Sequence, residues 1–159
     1  MSLAKVTHYF QQFNLQDRIT KFDESTATVD EAAAVLHVKA RQIAKTMAFK
    51  LKQRAVVVVT AGNARVSNPK FKAMFGEKPH MVQRDVLEQT IGHPAGGVCP
   101  FALQEGVDVY LDESLKADEI VYPAAGTANT AIKLSLGELE QYAHPRQWVD
   151  VVKDSEGQQ

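Results

Sequence analysis

The sequence holds a single cysteine, Cys99, and no apolar run in it exceeds five residues. One cysteine excludes an internal disulfide framework and cannot build a structural zinc site. The five histidines, His8, His37, His80, His93 and His144, show no paired ligand spacing, so neither a metal nor a cofactor is expected. Runs such as AVVVV at 55–59 are far too short to cross a bilayer, and no N-terminal stretch has the build of a secretory signal. A cytoplasmic protein with no membrane partner is therefore expected, and Met1, Ser2 and Leu3 carry no weight in this reading. Apolar residues at 45% and charged residues at 23% describe an ordinary globular chain, and 159 residues fit one domain over 1–159 around one core.

Acidic residues are missing from a third of the chain. Between Ala32 and Gly76 stand nine cations, Lys39, Arg41, Lys45, Lys50, Lys52, Arg54, Arg65, Lys70 and Lys72, with no Asp or Glu. From Glu77 onward six basic residues face fourteen acidic ones, which conceals the basic block within a net charge of −1. Such a block is the footprint expected for a polyanion, or else a set of solvated faces balanced in space by the acidic half.

Hydrophobic spacing gives the elements. Val6, Tyr9, Phe10 and Phe13 predict an amphipathic helix over 5–13, followed by a short strand at 18–22. TVDE, with Thr28 three residues before Glu31, predicts a capping box at the start of a second helix. Residues 43–61 alternate, turn at KQR and continue as a β-branched run, which predicts a hairpin. Asn68 is the expected cap of a short helix with Pro69 in its first position, ending at Gly76. A helix over 84–91, strands in DVYLDESL, EIVYPAAG and AIKLSL, and a helix at 137–142 complete an α+β fold. Its sheet should be mixed, largely antiparallel and partly barrel-like, flanked by short helices.

Three places invite chemistry. Lys45 shares its strand parity with Ile43, Met47, Phe49 and Leu51, so its ammonium is directed to an apolar face. That position implies an anionic partner or a lysine snorkelling at the sheet edge. GHPAGGVCPFAL at 92–103 packs three glycines and two prolines into twelve positions. Gly96 and Gly97 there either offer backbone N–H groups to an oxyanion or simply make a tight turn. Cys99 is a nucleophile with His93 as base, or a packed apolar thiol; the flanking Val98, Pro100 and Phe101 favour the second. AAGTANTAIKLS at 124–135 has small residues leading into a strand, which permit close approach of a ligand or a plain edge turn.

Taken together, IAKTMAFK, VVVVTAGNARVSNPKFKAMF, GGVCPFAL and YPAAGTANTAIKLSLGEL resemble, in order, four motifs of the YbaK/ProX family of aminoacyl-tRNA editing proteins. The resemblance covers nearly the whole chain. It implies a deacylase that hydrolyses the ester of a mischarged tRNA, usually a tRNA for proline, without a metal and without a covalent enzyme nucleophile. It also implies that Lys45 holds the acceptor end and that Gly96 and Gly97 shape the aminoacyl pocket and polarise the carbonyl. Attack would come from water or from a group of the substrate. Asn63, His93, Val98, Cys99, Pro100, Phe101 and Gly126 would adjoin the substrate, and Lys50, Arg65, Lys70 and Lys72 would face the tRNA. Asn63 stands where the family commonly has aspartate, Cys99 where it has serine, and Ala124-Ala125-Gly126 replaces a more glycine-rich turn. A synthetase is the implied further partner, and no DNA is expected. A non-catalytic RNA-end or nucleotide binder is the alternative function.

Overall fold

The computed structural model describes residues 2–154. Its centre is the hairpin expected from the alternating run: β2 (Ile43–Lys50) pairs antiparallel with β3 (Ala55–Ala61), with Ala48 opposite Val57 and Phe49 opposite Val56. The four consecutive valines of β3 are fully buried, because both faces of this sheet are covered. Further strands β4 (Asp108–Asp112), β5 (Ile120–Pro123), β7 (Leu134–Ser135) and β8 (Gln147–Val149) extend it to the order β7-β5-β2-β3-β4-β8. Pairing is parallel at β2–β5, β3–β4 and β4–β8, and antiparallel elsewhere in the sheet. A two-stranded ribbon of β1 (Ile19–Lys21) and β6 (Thr130–Ile132) meets it through an Ala124–Ala131 bridge, which curls the sheet at that corner. The fold is the expected α+β arrangement around a mixed sheet.

Alternation divides the core in two. Ala44, Ala48, Val57 and Val59 face one side, where α1 (Ser2–Gln11) adds Val6 and Phe10, α4 (Arg84–Ile91) adds Leu87 and Ile91, and α5 (Leu136–Ala143) adds Leu139. Phe49, Leu51, Val56 and Val58 face the other, against Phe71 of α3 (Asn68–Phe75). Each large side chain buried in this way contributes about 1.5–3 kcal/mol of transfer free energy.

The helix starts follow their side chains. Thr28 and Glu31 close the predicted capping box on α2 (Val29–Leu36), and Ser135 with Glu138 does the same for α5. Asn68 is not the cap of α3. The Ser67 hydroxyl accepts the Lys70 N–H instead, so Asn68 and Pro69 occupy the first two helical positions. Of the discounted N-terminal residues, Ser2 and Leu3 belong to the fold: α1 begins at Ser2, which is 6% exposed, and Met1 lies outside the described residues. AIKLSL is two strands, broken at Lys133, and β8 has no counterpart in the sequence reading.

Candidate functional site

β2 is covered unequally along its two edges. β3 pairs with it over residues 44–50, whereas β5 reaches only Ile43 and Ala44, and Val82 N–H donates to the Ala48 carbonyl at 3.0 Å farther along. The interval at Lys45–Met47 borders a cleft of about 230 Å³. Ile43, Ala44, Lys45, Thr46 and Ala48 all line it, so residues of both parities contribute and the strand's edge forms the wall. Opposite stand Ala27, Ala95, Gly96, Val98, Ala124 and Ala131, a largely apolar lining of small side chains. The volume falls below the range of about 300–1,000 Å³ usual for whole small-molecule ligands, so the cleft suits a fragment of a larger substrate.

Lys45 brings the charge. Its Nζ donates to the Ala64 carbonyl at 2.7 Å, and burial together with nearby Arg65 lowers its pKa from the ordinary lysine value. An ammonium has three donors, and one acceptor leaves two of them for a ligand. Thr46 adds a polar group that the sequence reading missed: its Oγ1 is buried without a hydrogen-bond partner. The other threonines of the lining are engaged: Thr26 Oγ1 donates to Ala128 O, Thr28 Oγ1 accepts from Glu31 N–H and Thr130 Oγ1 donates to Thr127 O. An orphaned buried hydroxyl costs about 1–3 kcal/mol, an expense that a ligand atom would relieve.

The glycine loop is built for close approach. Gly96 has a φ of +84° and lines the cleft, with no protein acceptor for its N–H among the described residues. A side chain on Gly97 would stand 2.5 Å from the Gly126 carbonyl carbon and the Thr127 nitrogen, so only glycine fits there. The Gly97 N–H donates to Pro94 O at 3.0 Å, closing the turn. Gly97 is thus a packing residue, and of the two expected donors only Gly96 keeps its amide.

Of the other expected substrate contacts, only Val98 lines the cleft. Cys99 and Phe101 lie behind the loop in the main core, and burial pushes the Cys99 thiol up to about 12. His93 is fully buried: Nε2–H donates to Phe101 O at 2.6 Å, which leaves Nδ1 to accept from the Ser2 hydroxyl. Both ring nitrogens are occupied, so His93 cannot serve Cys99 as a base despite their 3.5 Å contact. Pro100 lines a different depression, beside Tyr9 and Arg146. Gly126 lies against Ser2, and Asn63 borders a separate cleft with Lys70, Asp150 and Asp154. Among the expected tRNA-facing cations, Lys70 pairs on the surface with Asp150 and Asp154 at 3.2 and 2.8 Å. Arg65 is exposed beside Lys45, Lys72 is exposed on α3, and Lys50 borders a groove next to the cleft.

A family model described as an aminoacyl-tRNA editing domain matches residues 23–142. YwhH, an uncharacterized protein of Bacillus subtilis (strain 168), is 42% identical over 158 residues, covering 98% of this chain and all of that protein. A proline--tRNA ligase of the same organism is 31% identical over 91 residues, which is 57% of this chain and 16% of the ligase. Among solved structures, a hypothetical protein, APE2540, superposes with a TM-score of 0.83 at 27% identity, over 94% of this chain and 99% of that one. The structure of a candidate trans-editing enzyme for prolyl tRNA synthetase gives 0.86 at 23% identity, over 96% and 98% of the two chains, a likeness of fold.

Proposed function

The chain belongs to the aminoacyl-tRNA editing domain family, and from that premise we propose that it is a deacylase, hydrolysing the ester between a small amino acid and the terminal adenosine of a mischarged tRNA. The observation that carries this reading is that Lys45, Thr46 and Gly96, the last with no protein acceptor for its amide among the described residues, line one largely apolar cleft.

Ester hydrolysis by water passes through a tetrahedral oxyanion, and fixed donors in a site poor in water stabilise it; one such donor is worth about 3–4 kcal/mol. The Gly96 N–H and the Lys45 ammonium are the donors available to the carbonyl or the ribose oxygens. No protein nucleophile is required, and the raised pKa of Cys99 keeps that residue a thiol. The leaving group is a ribose hydroxyl, which takes its proton from the attacking water or from solvent.

Specificity follows from the lining. Ala27, Ala44, Ala48, Ala95 and Gly96 leave room for a small side chain and exclude large ones by overlap. Discrimination between residues differing by one methylene is worth only about 1–3 kcal/mol. The likeness to proline tRNA ligases supports a tRNA for proline as the carrier. The test is release of labelled amino acid from a panel of proline tRNAs charged with alanine, cysteine, serine, threonine or proline. Release from one or more of the wrongly charged tRNAs, with the prolyl ester spared, is expected. A gel-mobility shift without release would replace the deacylase reading with a binding module.

A further inference from the structure

Beside the cleft lies a second depression of about 530 Å³, lined by Lys50, Lys52 and Arg54 from the β2–β3 turn and by His80, Met81 and Val86 opposite. Backbone bonds stitch its floor to β2: Lys50 N–H donates to His80 O at 2.8 Å, Val82 N–H donates to Ala48 O at 3.0 Å, and Phe49 bridges to Met81. Met81 and Val82 line both depressions, so a single rim separates them.

The charges in this groove are not equivalent. The Arg54 guanidinium is taken by Asp108 at 2.6 Å and by the Tyr110 hydroxyl at 2.8 Å. The ammonium groups of Lys50 and Lys52 have no carboxylate partner among the described residues, and Glu77 is spent on the Lys52 backbone N–H. On the rim between the groove and the cleft, Met81 is 61% exposed, a large apolar side chain left in water. Unpaired cations along a groove attract the phosphates of a single-stranded polynucleotide, and the exposed Met81 offers an apolar surface beside them.

We propose that this groove carries the single-stranded 3′ end of the RNA. The aminoacyl ester occupies the cleft, the chain crosses the rim at Met81, and the phosphates preceding the terminal adenosine lie against Lys50 and Lys52. This rests on the reading of the cleft as the ester site, and it gives the RNA a direction of approach, over the β2–β3 turn.

The test compares two substrates of one amino acid, mischarged tRNA and aminoacyl-adenosine, which has no phosphate. In the full chain carrying Lys50→Glu and Lys52→Glu, kcat/KM for the tRNA falls at least tenfold through KM, while the ratio of wild type to variant for aminoacyl-adenosine stays near one. With the neutral pair Lys50→Gln and Lys52→Gln, the slope of log affinity against log salt becomes shallower by about 1.4, from roughly 0.7 per lost single-strand contact. An unchanged KM for tRNA at low salt overturns the proposal, as does an equal loss on both substrates. If the wild type hydrolyses neither substrate, the editing reading fails separately. Fluorescence anisotropy with a labelled single-stranded oligoribonucleotide then decides the groove: weaker binding by the Glu pair supports it, and equal binding overturns it.

Discussion

Thr46 shows how a residue of ordinary appearance becomes informative. Its hydroxyl is buried and unpaired on the wall of the cleft, so Thr46→Val removes an unsatisfied group without changing the side chain's shape. That substitution is expected to raise stability by about 1 kcal/mol and to lower kcat/KM for a mischarged tRNA several-fold. Denaturation and kinetics on one preparation check both; a loss of stability with full activity would give the hydroxyl a structural partner instead. The sequence could not single it out, because whether a hydroxyl is partnered depends on residues that meet it only in space. For Lys45, strand alternation left an anionic partner or a snorkelling side chain open, and in the structure its ammonium donates to the Ala64 carbonyl beside a cleft walled by the strand's edge. His93, expected to adjoin the substrate, is instead fully buried away from the cleft. Six residues from Cys99 it resembles a base, but burial lowers its pKa below the ordinary 6.5 and its ring is tied to Phe101 and Ser2. The unfolded chain then binds a proton that the folded chain refuses. Stability is complete above about pH 6.5 and declines as pH falls toward the lowered folded value. A urea midpoint that falls between pH 7 and pH 5, with the His93 ring titrating below 6.5 by NMR, is expected; a His93 pKa at or above 6.5 contradicts it.

At the scale of elements, the turn at 94–97 decides the shape of the cleft. Gly97 approaches the backbone of Gly126 and Thr127 so closely that Gly97→Ala must push the two loops apart. A destabilisation of about 1–3 kcal/mol is expected, along with a rise in KM larger than the fall in kcat, because the substrate's seat moves while Gly96 keeps its amide. A variant as stable and as active as the wild type would show that the loops separate freely. The hairpin, the capping box at Thr28 and the glycine stops of α3 and α4 were readable, because each rests on local side-chain chemistry. Strand β8 was not. Gln147–Val149 is too short to show a period and becomes a strand only because the edge of β4 accepts it. The start of α1 at Ser2 was hidden likewise, since its anchor is His93, 91 residues away.

For the whole molecule, the partition of charge in the sequence is only partly a partition in space. Arg41 pairs with Asp118, Arg54 with Asp108, and Lys70 with Asp150 and Asp154, so cations of the basic block are neutralised by the acidic half. Composition left open a polyanion-binding block or faces balanced by the acidic half; Arg41, Arg54 and Lys70 follow the second, while Lys39, Lys45, Lys50, Lys52, Arg65 and Lys72 have no carboxylate partner among the described residues. Lys45 is the residue on which the deacylase reading depends. The most direct measurement is single-turnover release of amino acid from mischarged tRNA by the wild type and by Lys45→Ala, with circular dichroism confirming that the variant is folded. The account predicts a loss of at least a hundredfold in a folded variant, the scale of one oxyanion donor. Undiminished release by Lys45→Ala would contradict it.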